Sequence, residues 1–216
     1  MTDPLVLPPI DLDDTPAGRI LAVAREKALR EGYSRLTMDG LAHALGMSKK
    51  TLYVHFPSKD AIVLAIFEAT KLTIRREVGL IIAAPVGFPD KLERIFALIA
   101  GHFGTVNGDF LHDLQRFAPH LYRAFEEIKE QNIPLLFGRV LAMGQEQGMV
   151  RPDIDVTFLI EYWLQVIKGV HDPDVLARTG LGPREAFERA IDLFFCGLLT
   201  REGRSRSRWA GDPASG

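Results

Sequence analysis

The chain has 216 residues, 47% of them hydrophobic, and a formal net charge of −2. That is the make-up of a globular protein with a substantial core and without the uniformly basic coat of a nonspecific nucleic-acid binder. Cys196 is the only cysteine, which rules out an internal disulfide or a thiol metal cluster within one chain and suits a reducing cytoplasm.

The first segment, residues 1–14, carries Asp11, Asp13 and Asp14 among prolines and reads as a mobile tail. Its stretch LVLPPIDLDD has no basic n-region, and no apolar run approaches the roughly 20 residues of a membrane span, so neither secretion nor membrane insertion is expected. Ile20, Val23, Ala24 and Ala28 then form the stripe of a helix over residues 16–30, stopped by Gly32. Thr37 is a good N-cap for a second helix, in which Met38, Leu41, Ala42 and Leu45 follow the i, i+3, i+4, i+7 spacing of one buried stripe.

Gly46 can take the left-handed conformation of a sharp reversal, and Ser48 caps a third helix over residues 49–55 that Pro57 helps to stop. This is the layout of a helix-turn-helix, whose last helix enters the DNA major groove. At about 100° per residue, Leu52 and Phe56 face the core and Lys50, Thr51 and Val54 face away, with Lys49, Tyr53 and His55 on the flanks. The outward face meets base edges while long flanking side chains reach phosphates, so Ser48, Lys49, Lys50, Thr51, Tyr53, Val54 and His55 are DNA-binding candidates. Ser58 caps a further helix opening at Lys59, a helix start that offers amides and a positive charge to a phosphate. Residues 15–62 hold eight Lys and Arg against four Asp and Glu, which confines the positive field to the segment proposed to meet DNA.

The run RILAVAREKALREGYSRLTMDGLAHALGMSKKTLYVHFPSKDAIVLAIF, roughly a quarter of the chain, resembles the N-terminal domain of the TetR family of bacterial transcriptional regulators. The resemblance is carried by the EGY before Thr37, the Leu41–Ala42 and Leu45–Gly46 pairs, and the run from Ser48 through Tyr53, His55, Phe56, Pro57, Ser58 and Lys59. It implies phosphate contacts from Thr37, Tyr53 and Lys59, and approach to bases by Lys49, Lys50 and Thr51. Two positions depart from the family pattern: Lys50 stands where a small residue is frequent, and Val54 where an aromatic or polar residue is common. The operator sequence cannot be borrowed from a relative; Val54 offers its methyls to a thymine.

Beyond Lys59 the pattern predicts helices over residues 59–79, 90–104, 108–117, 119–147, 155–170 and 183–200, with Pro134 expected to kink or split the fourth of them near Asn132. The expected fold is all-α with about nine helices: a helix-turn-helix domain over 15–62, a helical effector-binding and dimerisation domain over 63–200, and a disordered, locally basic tail over 201–216.

The helices over 155–170 and 183–200 carry wide apolar stripes. Phe158, Tyr162, Val166, Val170, Phe187, Ile191, Phe194, Phe195 and Leu198 are expected at a homodimer interface, the competing reading being the central core of a monomer. The resemblance favours a dimer built from C-terminal helices, and a two-fold dimer would face a palindromic operator. Between them, His102, Phe103, Phe110, Arg116, Phe117, Tyr122, Phe125, Phe137 and Trp163 give an excess of aromatics with a few polar groups. Most fill core, yet the set also suits a small, mostly apolar effector that the family generally binds in this region.

The reading is therefore a dimeric, ligand-responsive transcriptional regulator, a repressor by the family's commoner habit, located in the cytoplasm. No metal and no cofactor are expected, because the spacings of His102, His112 and His120 match no compact ligand motif. The alternatives are an all-helical enzyme or ligand carrier, for which no GxSxG, HExxH, P-loop, GxGxxG or CxxC pattern is present, and an architectural DNA-binding protein without an effector.

Overall fold

The computed structural model describes residues 12, 14–103 and 108–207, with the side chains of 103, 108 and 109 left aside. Each early helix starts where a short polar side chain can take over an orphan amide. Thr15 accepts from the Gly18 N–H at 3.1 Å and opens α1 (Pro16–Glu31); Thr37 does the same with Gly40 for α2 (Met38–Ala44), and Ser48 with Thr51 for α3 (Lys49–His55). Gly46, at φ +62°, supplies the left-handed residue between α2 and α3. Ser58 opens α4 (Lys59–Ala83) by accepting from the Ala61 N–H.

Downstream come α5 (Phe88–Phe103), α6 (Gly108–Phe117), α7 (Pro119–Glu146), α8 (Val156–Val170), α9 (Pro173–Thr179), α10 (Pro183–Leu198) and α11 (Arg201–Ser205). The all-α architecture stands; among the described residues there are eleven helices, and β-type pairing is limited to an isolated antiparallel bridge between Val150 and Leu199. Pro134 lies inside α7 without splitting it. None of the helices is long and apolar enough to cross a membrane.

Two helices depart from the sequence-based expectation. In α9, Asp172 accepts from the amides of Asp174 and Val175, Pro173 opens the first turn and Gly180 closes the last at φ +68°. The start of the supposedly disordered tail forms α11, because Thr200 caps it through the Gly203 N–H at 3.0 Å and bonds the Gly148 carbonyl at 2.9 Å. Residues 208–216 of that tail and the N-terminal tail, save residues 12 and 14, lie outside the described residues.

The chain groups into two compact units, one of residues 1–73 and 101–128, the other of 74–100 and 129–216. This differs from a contiguous cut at residue 62. In the first unit, Ile20, Ala24, Leu41, Leu52 and Ile62 share one core with Phe110, Leu111, Leu114, Ala118, Leu121 and Phe125 from α6 and the start of α7. Burial of that many apolar side chains is what holds α1 to α3 together, since seven-residue helices such as α2 and α3 are too short to persist alone. In the second unit, α8 lies against α10, and Phe96, Phe137, Trp163, Phe194 and Phe195 form an aromatic centre with Phe137 stacked on Trp163 at 5.4 Å.

Candidate nucleic-acid interface

Leu52 is the anchor of α3, 0% exposed in the core shared with α1 and α2, while Val54 is 76% exposed and Tyr53 51%. With its inner edge fixed, the helix turns Lys49, Lys50, Thr51, Tyr53 and Val54 toward solvent; Phe56 packs partly buried against the core and His55 is half-buried. The Ser48 and Thr51 hydroxyls lie 2.8 Å apart at the start of the helix. Lys49 donates to the Asp39 carboxylate on α2 at 2.7 Å, which draws the first lysine of α3 back across the turn. Thr37 is exposed at the start of α2.

Lys59, expected to point at a phosphate, is half-buried, its ammonium 3.9 Å from the centre of the Tyr33 ring and donating to the Tyr33 carbonyl at 3.3 Å. The Tyr33 hydroxyl in turn donates to Asp60 at 2.6 Å. Burial, then the bond to Asp60 and its charge, lift the Tyr33 phenol well above its ordinary range, so it stays protonated and donates. Asp39, Tyr33 and Asp60 were absent from the sequence-based set of DNA-binding residues; Tyr33 entered only as part of the EGY run, and Asp39 and Asp60 were marked only by their helix-start positions.

The expected effector residues are shared between the two units. Phe110 and Phe125 pack on Phe67 in the first unit's core, with ring centres 6.4 and 5.6 Å away, and Tyr122 lies partly buried against that core. His102 is buried there too; burial and then the Arg25 charge hold its pKa down to about 4, so it is a neutral core group at physiological pH. Phe137 and Trp163 belong to the second unit's core. Phe117 is 56% exposed with the exposed Arg116 guanidinium over its ring, so this pair lies at the surface rather than in an interior. The Phe103 side chain lies outside the described residues. Among the described residues no three His, Cys, Asp or Glu side chains assemble as a metal-holding group.

The expected dimer residues divide as well. Phe187, Ile191, Phe195 and Leu198 are almost wholly buried within their own chain, because the stripe of α10 is spent on α8 and the aromatic centre. They correct the expected interface: a side chain already sealed in its own core has no surface left for a partner. Phe194 is buried and stacks on Tyr162 at 6.0 Å, which stacks on Phe158 at 6.2 Å. Phe158 and Tyr162 are exposed, Val166 and Val170 half-buried, and Leu193, not anticipated from its place outside the stripe, is 79% exposed.

The helix-turn-helix and its supporting helix coincide with residues 20–66, which match the family model described as bacterial regulatory proteins, tetR family. Over that stretch the chain is similar to the DNA-binding domain of the TetR family. Over 185 residues it is 23% identical to the uncharacterized HTH-type transcriptional regulator YvaF of Bacillus subtilis, covering 85% of this chain and 96% of that protein. A TetR-family transcriptional regulator from Marinobacter aquaeolei shares the fold, with a TM-score of 0.67 and 18% identity over 89% of this chain and 95% of that one. So does the TetR-family repressor FadR of Thermus thermophilus, solved with lauroyl-CoA, with a TM-score of 0.55 and 22% identity over 93% and 99% of the two chains. These three relatives are described as transcriptional regulators, and this chain shares with the family model a helix-turn-helix of the DNA-binding type.

Proposed function

We propose that this chain is a TetR-family regulator, a cytoplasmic repressor that binds a palindromic operator as a homodimer and is released by a small, mostly apolar effector. The observation that carries it is the division of α3 into a sealed inner edge at Leu52 and an exposed outer face of Lys49, Lys50, Thr51, Tyr53 and Val54. A short helix anchored by one leucine keeps its outward side chains in fixed register, which is what base-edge contact in the major groove demands. Thr37, Ser48, His55 and Lys59 complete the set at the rims, where phosphates pass.

The dimer reading is supported by the exposed Phe158, Tyr162 and Leu193 on α8 and α10, a large apolar surface for a chain to leave in water. The effector reading is supported by the aromatic centre of the second unit and by the apolar acyl chain of the lauroyl-CoA present in the Thermus repressor. A differential affinity on the order of 1 to 3 kcal/mol for the released state is enough to work the switch.

The test is binding to the intergenic DNA that flanks the gene, followed by fluorescence anisotropy across a salt series. A steep fall in affinity with salt is the expected result, the mark of phosphate contacts that release counterions. Tyr53→Ala should weaken binding without altering base preference, whereas Val54→Ala should lose discrimination at a single base pair. Affinity that is flat with salt would return the protein to the carrier class. Retained DNA binding with no compound that weakens it would leave an architectural role.

A further inference from the structure

The first unit contains a polar clasp outside the groove-facing surface. At the C-terminus of α1, Gly32 has φ +88°, and a Cβ there would come within 2.7 Å of the Asp113 carboxylate of α6. That carboxylate accepts the Ser34 N–H at 2.8 Å. One helix further on, the His120 Nε2 lies 2.9 Å from one oxygen of Asp60 while Tyr33 donates to the other at 2.6 Å. Tyr33 also holds Lys59 through its ring and its carbonyl. Asp113 and His120 thus stand on either side of the α6–α7 corner and grip, respectively, the loop that leads to Thr37 and the first turn of α4 that carries Lys59.

We propose that Asp113 and His120 are positioning residues for operator binding: the α6–α7 corner locks the α1–α2 loop to the start of α4, and so sets the separation of the Thr37 and Lys59 phosphate grips. Apolar packing of Leu114, Ala118 and Leu121 holds the corner in the core but has no directional preference. Hydrogen bonds to a carboxylate do, and they carry the register. Without them the two grips meet the DNA backbone as independently moving parts, and the ordering is charged to each binding event. The proposal rests on the DNA-binding reading above.

Anisotropy titrations of wild type, His120→Leu, His120→Gln and the Asp113→Ala/His120→Leu pair on one operator duplex, each across a salt series, test it. Wild-type binding with a steep salt slope establishes the underlying reading, and its absence overturns both. Given that binding, the double variant is expected to bind roughly tenfold more weakly with an unchanged salt slope, because the phosphates contacted are the same and only their preorganisation is lost. His120→Leu should show part of the loss, and His120→Gln, which restores an N–H donor to Asp60, should recover most of it. A merely structural role would lower the unfolding midpoint without this donor-specific recovery. Operator affinity of His120→Leu within twofold of wild type, or a glutamine variant as weak as the leucine one, overturns the positioning role while leaving DNA binding intact. His120 is exposed, so the single variants give a reading even where the pair is poorly folded.

Discussion

Lys49 is tied to Asp39 by a 2.7 Å ion pair that crosses the turn between the two helices of the DNA-reading motif. Both side chains are more than 60% exposed, so the pair adds little to stability, yet it places a carboxylate beside the face proposed to meet phosphates. Asp39→Asn should leave the thermal midpoint almost unchanged, tighten binding to arbitrary duplex DNA severalfold and steepen its salt dependence. Thermal unfolding and anisotropy on scrambled duplex check this. Unchanged nonspecific affinity would mean that Lys49 is already committed to DNA in spite of its partner.

The second unit contains an acid-sensitive group. His171 is 3% exposed, its ring stacked on Phe187 at 6.0 Å, and burial followed by the Lys129 charge lowers its pKa to about 3. Above the ordinary imidazole pKa of about 6.5 the folded and unfolded chains are both neutral here and stability is fully present. As pH falls below that value the unfolded chain takes up a proton that the folded one refuses, and stability is lost progressively toward pH 3. At pH 5 the loss from this group is about 2 kcal/mol. His171→Phe, which keeps a ring against Phe187, should shrink the stability difference between pH 7.5 and pH 5 by about that amount in denaturant titrations. His102, lowered to about 4, leaves a residual slope of the same sign. An unaltered pH dependence in the variant would place the acid sensitivity elsewhere.

Gly203 of α11 packs against the Met149 backbone so closely that a Cβ would overlap its carbonyl oxygen. Since backbone cannot yield as a flexible side chain does, Gly203→Ala should dislodge α11 and cost about 1 to 3 kcal/mol. Amide exchange should quicken at Arg151 and Thr200, whose N–H groups bond the Leu198 and Met149 carbonyls beside it. Gly197→Ala, with nothing near its added methyl, serves as the control and should be neutral or slightly stabilising. Equal behaviour of the two variants would show that α11 contributes nothing to the fold.

What was legible in the sequence is what short stretches decide. Thr37, Gly46 and Ser48 reveal the helix-turn-helix because a cap or a left-handed turn is settled within three or four neighbours. By the same logic Asp172, Pro173 and Gly180 spelled out α9, but seven residues give too short an apolar pattern to stand out. Periodicity also announced that one face of α10 is covered without saying by what, and so Phe187, Ile191 and Phe195 were assigned to a partner although their own chain covers them. The clasp was invisible for a different reason. Asp113 meets Ser34 across 79 residues and His120 meets Asp60 across 60, and no local rule links polar groups at such separations.

The redistribution on α10 sharpens the dimer prediction, because it separates residues that hold the chain together from residues free to hold two chains together. Leu193, at 79% exposure, and Tyr162, at 52%, lose little in the isolated chain when substituted. Placed in an apolar interface, however, a carboxylate at either position is desolvated without a partner. The Tyr162→Glu/Leu193→Glu variant should therefore sediment as a monomer at concentrations where the wild type is dimeric, with an unchanged circular dichroism spectrum. Operator affinity should fall by at least roughly tenfold, since the second half-site no longer binds as part of the same molecule. Phe195→Ala should do the reverse, costing about 3 to 5 kcal/mol of folding stability from a fully buried ring before it alters assembly. If the double glutamate variant remained a dimer, the second copy would have to bind through another face, and the exposed row from Phe158 to Leu193 would have to be assigned to a different partner.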